Sequence, residues 1–308
     1  MMFTQITIIG MGLIGSSLAR CISQQGLCER LIAVDADEDV CAYVEARGLA
    51  DSTTTNAIEG VQGSDLVILC VPTGAIGKLI ESIAPVLMPK SILSDVGSVK
   101  QSVVNAILPH LPESVSFVPA HPIAGTEHSG PESGFAELFQ ERWCILTPTA
   151  NTNIRAVEAI TKLWEKCGAK IEIMDAAHHD LVFATTSHLP HLLAYAMVGT
   201  ATTMEQELKS EVIKFSASGF RGATRLAASD PTMWRDVCLD NREAILESLG
   251  RFTDDLMAMQ KAIKRGDGEF LFNRFTETRV IRREIEKLGP EGYPNPQRMA
   301  IDTPDEES

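Results

Sequence analysis

Short apolar runs alternate with helical patterns through the first 175 positions. QITIIG leads into GLIGSSLARCISQQ, RLIAVD into a charged helical segment, and DLVILCVP, SILSD, VSFVPA and RWCILTP follow. Brief runs rich in Ile, Val and Leu, separated by helices, predict strands buried on both faces, hence a mostly parallel sheet with helices on either side. The last helix–strand unit is marked most clearly. Ala156, Val157, Ile160, Leu163, Trp164 and Cys167 share one helical stripe, Gly168 ends it, and AKIEIM resumes a strand.

Beyond Asp175 the period changes from strand to helix, and no further strand is predicted. Ile245, Leu249, Phe252, Leu256, Met259 and Ile263 are spaced by fours and threes like a coiled-coil seam. Phe275, Ile281, Ile285 and Leu288 continue an apolar helical face. Roughly 115 residues of helix make a small core on their own, so this face is expected to meet either an intrachain hairpin or, with more weight, a second copy of the chain. The expected organisation is an α/β fold: a Rossmann-type doubly wound domain over 1–175, an all-helical dimerisation domain over 176–290, and a proline-rich acidic tail over 291–308 expected to be disordered.

Composition narrows the possible partners. The 308 residues are 44% apolar, enough for a sizeable core, and 41 acidic against 27 basic residues leave a net charge of −14. Such a balance argues against nucleic acid or anionic lipid as bulk partners, so an anionic substrate needs local positive charge. No window approaches the run of about eighteen or more uninterrupted apolar residues of a membrane span, and the N-terminus lacks signal-peptide character. A cytoplasmic location is expected. Seven cysteines at 21, 28, 41, 70, 144, 167 and 238 form no CxxC pair and are assigned to packing.

Candidate chemistry begins directly after the first strand. Gly10-Met11-Gly12-Leu13-Ile14-Gly15 opens a helix, the context in which glycines permit a tight turn and close approach of a pyrophosphate to the helix N-terminus. The second strand ends at Asp35, 20 positions beyond Gly15, where a carboxylate can accept from ribose hydroxyls and would repel a 2′-phosphate. NAD is therefore the expected cofactor, with Val71 and Pro72 beside it at the end of the strand DLVILC. A glycine turn and surface aspartate without a ligand is the bland reading of the same residues. Two more loops end strands at this edge: Val96-Gly97-Ser98-Val99-Lys100 and His121-Pro122-Ile123-Ala124-Gly125-Thr126-Glu127. Ser98 and His121 can meet there, and a neutral imidazole beside a hydroxyl is a competent general base.

Five motifs in order, GMGLIGSS, SDVGSVK, HPIAGTEHSG, TSHLPHLLAYA and GFRGATRLAASDPTMWRD, resemble those of the prephenate/arogenate (cyclohexadienyl) dehydrogenase family from residue 1 to about 288. The resemblance implies NAD(P)-dependent oxidative decarboxylation of a small anionic cyclohexadienol, on a Rossmann domain joined to a helical dimerisation domain. It implies that His121 accepts the hydroxyl proton, that Ser98 hydrogen-bonds this histidine near the nicotinamide, and that Thr126 and Glu127 line the substrate pocket. Ser187 and His191 lie four apart on one helical face, His191 matching a substrate contact with His188 beside it, and Pro190 is expected to kink that helix. Arg225 matches the arginine that binds the ring carboxylate, Arg221 either helps or is solvated, and Trp234 matches an active-site tryptophan that could equally be a buried anchor. Several members carry Asp where this chain has Gly222. A metal set among His178, His179, His188 and His191 is disfavoured, because no acidic or thiol partner is spaced to complete it. The alternatives are another Rossmann-plus-helical dehydrogenase, of the β-hydroxyacid dehydrogenase or pyrroline-carboxylate reductase type, and a non-catalytic NAD-binding sensor.

Overall fold

A computed structural model describes residues 1–287 except Glu127, 204–209 and 212–213. The expected tail and Leu288 lie outside the described residues. The chain divides into two compact units, one over Met1–Leu246 and one from Glu247 onward.

The first unit is organised by an eight-stranded sheet of order β3-β2-β1-β4-β5-β6-β7-β8. Its strands are β1 (Phe3–Ile9), β2 (Cys28–Val34), β3 (Ser52–Thr54), β4 (Leu66–Leu69), β5 (Ile92–Asp95), β6 (Ser116–Pro122), β7 (Trp143–Leu146) and β8 (Lys170–Ile173). Strands β3 through β6 run parallel, β7 turns antiparallel against β6, and β8 runs parallel to β7. The chain order reverses between β1 and β4, which makes the crevice beyond their carboxyl ends a natural ligand site.

Side-chain alternation along each strand explains why both faces are covered. Ile6 and Ile8 of β1, with Leu66 and Ile68 of β4, enter one core; Ile9, Val67 and Leu69 enter the other. Helices α1 (Leu13–Gln25) and α2 (Glu38–Ala46) follow β1 and β2, a short α3 (Ala57–Gly60) follows β3, and α4 (Thr73–Ile83) and α5 (Gln101–Ile107) follow β4 and β5. Helix α1 places Leu18, Ala19 and Ile22 in the first core, while α4 and α5 place Ile76, Ile80, Val103, Val104 and Ile107 in the second. Helix α6 (Ile154–Lys166) buries Ala156, Val157, Ile160, Leu163 and Trp164, the stripe read from the sequence, and Gly168 takes the left-handed φ of 87° that ends the turn after it.

From Asp175 onward every described element is helical: α7 (Ala176–Phe183), a π-helical turn over Ala184–His188, α8 (Leu189–Thr202), α9 (Ser218–Thr224), α10 (Pro231–Asp240), α11 (Arg242–Arg265) and α12 (Gly268–Lys287). Asp175 starts α7 by accepting from the His178 amide at 2.8 Å. At Pro190, where the sequence pattern predicts a kink, the helix continues through a locally altered turn. Proline has no N–H for the carbonyl four residues back, and its ring would collide with that carbonyl. The turn before it instead widens, with the Leu189 amide reaching back five residues to Ala184, and the helix continues.

Helices α7 and α8 together form a 27-residue helix, Ala176–Thr202, that is long and apolar enough by length and composition to cross a membrane. Its buried side carries His179, Asp180 and His188, all hydrogen-bonded within the protein. In the second unit, Leu256, Met257, Ile263, Phe272, Phe275, Ile281 and Ile285 are each more than half exposed in the single chain.

Candidate active site

The carboxyl ends of β1, β4, β5 and β6 are neighbours, and the polar segments singled out above emerge there. Gly10 adopts φ 95°, and a Cβ on it would sit 2.6 Å from the Cys70 carbonyl oxygen and 3.0 Å from Val71 Cγ1. A Cβ on Gly15 would sit 2.0 Å from the Gly10 carbonyl oxygen. Both are contacts that only glycine tolerates. Gly12 differs, because nothing lies within 4 Å of the position its Cβ would take. The first glycine closes the turn, the third packs the helix, and the middle one leaves open space at the start of α1, where a pyrophosphate fits. Leu13 and Ile14 turn partly inward against the core, Val71 borders the turn, and Pro72 follows it at the start of α4. Asp35 braces it: its Oδ2 accepts from the Met11 amide at 2.7 Å and its Oδ1 from the Asp37 amide at 3.1 Å.

His121 lies near the end of β6, paired in register with Ile145 of β7 and only 8% exposed. Its Nδ1 is 2.8 Å from Nε2 of His179, and Nδ1 of His179 is 2.8 Å from Oδ1 of Asp180. Oδ1 of Asp180 also accepts from the Lys100 amide at 2.8 Å, and Oδ2 from the Gln101 amide at 2.9 Å, so this carboxylate caps α5. Lys100 is itself fully buried, its Nζ paired with Asp95 and donating to the Ala120 carbonyl at 2.7 Å. Asp95 in turn accepts from the amides of Gly97 at 2.8 Å and Ala120 at 3.3 Å, so the ion pair ties the end of β5 to the residue preceding His121. Phe183 packs edge-on against the His121 ring at 4.9 Å.

These surroundings keep the imidazole neutral. Burial, then the neighbouring His179, Lys100 and His188, hold the His121 pKa well below its ordinary value of 6.5. A neutral imidazole at neutral pH has a lone pair ready to take a proton. Nε2 of His121 has no hydrogen-bond partner among the described residues.

The helical wall is looser. His191 is half-buried; its Nδ1 is 2.8 Å from the Ser187 carbonyl oxygen, and its ring stacks on Trp234 at 3.5 Å and 21°. Burial lowers its pKa, the Ser187 carbonyl works against that, and the nearby Arg225 lowers it further. Arg225 is exposed and lies close enough to charge this histidine's surroundings. Trp234 is 7% exposed and packs with Val99 and Val237, so it is a buried anchor and also the platform under His191. His188 is fully buried, 3.1 Å from the Asn241 amide nitrogen, which also donates to the Asp180 carbonyl at 2.8 Å. Burial pushes the His188 pKa down to about 4.

Most of the expected residues therefore gather, with three differences. The Ser98 hydroxyl does not hydrogen-bond His121: Nδ1 is taken by His179, while the Ser98 backbone lies against His188. Thr126 is exposed, with its hydroxyl accepting from the His128 amide at 3.2 Å, and Glu127 lies outside the described residues. Sequence reasoning missed His179, Asp180 and Asn241 as members of the site. His179 entered only a disfavoured metal set with His178, His188 and His191, Asp180 was not singled out, and nothing local says that the two meet a strand end nearly sixty positions earlier.

Comparison with known proteins identifies the family. The family model described as the prephenate dehydrogenase nucleotide-binding domain matches residues 18–173, and the one described as the prephenate dehydrogenase dimerization domain matches 175–277. The first match begins beyond the glycine turn, so the reading of that turn stands on its geometry. A cyclohexadienyl dehydrogenase from Zymomonas mobilis is 42% identical over 91% of this chain and 95% of its own length. A Bacillus subtilis prephenate dehydrogenase is 31% identical over 97% of this chain and 81% of its own. Among solved structures, Aquifex aeolicus prephenate dehydrogenase in complex with hydroxyphenyl propionate and NAD+ superimposes with a TM-score of 0.85 at 31% identity, over 92% of this chain and 98% of that one. Two family models that together match most of the chain from residue 18 to 277, and relatives matched along most of their length, lead to one conclusion: this chain belongs to the prephenate dehydrogenase family.

Proposed function

We propose that this protein is an NAD-dependent dehydrogenase that oxidatively decarboxylates prephenate, arogenate or both, with His121 as the base. The observation that carries the reading is a buried, neutral His121 at the same sheet edge as an open glycine turn, in a chain of this family. The relatives named above are prephenate and cyclohexadienyl dehydrogenases, and one solved relative holds NAD+.

The residues divide the work as follows. Gly10, Gly12 and Gly15 shape the phosphate cradle at the start of α1, and Asp35 braces it while offering its carboxylate to ribose hydroxyls. NAD, when bound, supplies the hydride acceptor. Nε2 of His121 takes the proton of the substrate hydroxyl as the ring carbon that bears it gives up hydride and the opposite carbon loses carbon dioxide. Aromatisation of the ring drives the step, and the base contributes about 10²–10⁴-fold. Arg225 holds the ring carboxylate, with His191 and Ser187 on the same wall and Trp234 fixing the His191 ring. Ser98, Thr126 and Glu127 complete the pocket once substrate is present.

The functional unit is a homodimer through the helical part, which we take as 176–290. The exposed apolar residues of α11 and α12 and the largely exposed apolar helix 176–202 support this, since contiguous exposed apolar surface marks an interaction site. The test is to follow NADH formation with prephenate and with arogenate, using NAD and then NADP. Turnover of at least one substrate with NAD is expected, and no turnover of either with NAD or NADP would overturn the reading. Asp35→Asn keeps an acceptor for the Met11 amide and removes the charge. It is expected to relax the preference for NAD by about tenfold, as the loss of one charged contact would. An unchanged coenzyme ratio would remove Asp35 from the ribose site.

A further inference from the structure

Only one nitrogen of a neutral imidazole carries a lone pair, and the partner of the other nitrogen decides which. In this protein the decision can be traced outward from His121 through two groups. Both oxygens of Asp180 face backbone N–H donors, from Lys100 at 2.8 Å and Gln101 at 2.9 Å, so this carboxylate acts as an acceptor. The proton in its 2.8 Å contact with Nδ1 of His179 therefore belongs to the imidazole. His179 is fully buried, and burial lowers its pKa against the pull of Asp180, so its other nitrogen, Nε2, is bare. The 2.8 Å contact between the two imidazoles is then a hydrogen bond in one direction only, donated by Nδ1 of His121 to Nε2 of His179. What remains on His121 is an unprotonated Nε2.

From these contacts we propose that His179 and Asp180 are positioning residues that lock His121 in its Nδ1-protonated tautomer and so present Nε2 as the base. The proposal rests on the reading of His121 as the base given above, and it adds the two groups that make the reading work.

The lock is anchored from several elements. Asp180 caps α5 through two amides, and its own carbonyl accepts from Asn241 at 2.8 Å. Phe183, one turn further along, packs against both rings at 4.9 and 4.5 Å. The charged and titratable groups facing the two histidines are Lys100 and Asp95 from the β5–α5 segment, Asp180 from α7 and His188 from the π turn. When His121 takes up a proton at Nε2, the hydrogen bond from its Nδ1 becomes charge-assisted, with the Asp180 carboxylate at the far end of the chain.

Two measurements test this. In nitrogen NMR spectra of the protein without cofactor, His121 is expected to show a protonated Nδ1 and a bare Nε2 at neutral pH. The reverse tautomer, or an even mixture, would overturn the proposal. In kinetics, His179→Phe is expected to lower kcat by about 10²-fold or more, within the range a general base contributes, while KM and the NAD dissociation constant stay within about twofold. His179→Gln places an amide oxygen where Nε2 accepts, and is expected to bring kcat back to within about tenfold of the natural enzyme. A His179→Phe variant with near-normal kcat, or a glutamine variant as poor as the phenylalanine one, would refute the lock. If His179→Phe does not fold, His179→Asn, too short to reach His121, takes its place. The two readings fail separately. Normal turnover in His121→Asn removes the base, whereas a wrong tautomer in the natural protein removes only the lock.

Discussion

His121 and His191, the two histidines assigned to substrate chemistry, are held in different ways. Around His121, the side chains of His179, Asp180, Lys100 and Asp95 form a continuous buried network spanning β5, β6, α5 and α7. Around His191 there is a backbone carbonyl, a stacked indole and an exposed arginine. The difference follows from the work assigned to each. A base must have one tautomer and one position before substrate arrives, because disorder there is lost rate. A carboxylate-binding wall must stay open to solvent so that an anion can enter, and it can tighten afterwards.

The contrast predicts which changes damage which kinetic constant. The largest effect is expected at His121. His121→Asn should reduce kcat by about 10³-fold with NAD affinity intact, near the middle of the usual range for a general base. Near-normal turnover, measured as NADH formation, would place the base elsewhere.

A second effect, on stability, is read by pH. His188 is fully buried and its folded pKa is about 4, below the ordinary 6.5. Between these values the unfolded chain binds the proton and the folded one does not. Stability is therefore fully present above about pH 6.5 and falls as pH drops toward 4, by up to roughly 3 kcal/mol for this group alone. His121 and His179 shift in the same direction and add to the slope. Urea unfolding at pH 7.5 and 5 measures it, and His188→Gln should shrink the difference between the two. An equal difference in both proteins would mean that His188 does not carry the effect.

A smaller effect is expected on the wall. Arg225→Gln should raise KM for the anionic substrate by about 10–100-fold, the value of one or two charge-assisted hydrogen bonds, and change kcat less. An unchanged KM would take Arg225 out of the carboxylate site. If instead kcat fell as far as in His121→Asn, the division between a rigid base and an open wall would collapse.

Local pattern was enough for much of this molecule. The alternation of strands and helices, the stripe on α6 and the spacing of Gly10, Gly12, Gly15 and Asp35 are short-range features, so the Rossmann-type sheet and its glycine turn can be read along the chain. His121, Arg225 and Trp234 were legible because each sits in a motif with a family resemblance. Pro190 shows where local reasoning stops. Its missing N–H predicts a local disruption, and the form it takes, a widened π turn that accommodates the ring and keeps His188 and His191 on one continuous helix, is set by the folded structure.

The partner of His121 was beyond the reach of the sequence. Ser98 was the expected one because it lies in a neighbouring loop, and the structure gives Nδ1 to His179, from a helix 58 positions away. Hydrogen-bond partners of a buried side chain depend on which surfaces pack together and on which polar groups are stranded without water when they do. The order of residues therefore determined the scaffold and singled out His121 as the candidate base. Packing of α7 against the sheet edge decided which nitrogen of His121 meets His179, because only the folded chain brings the two rings together.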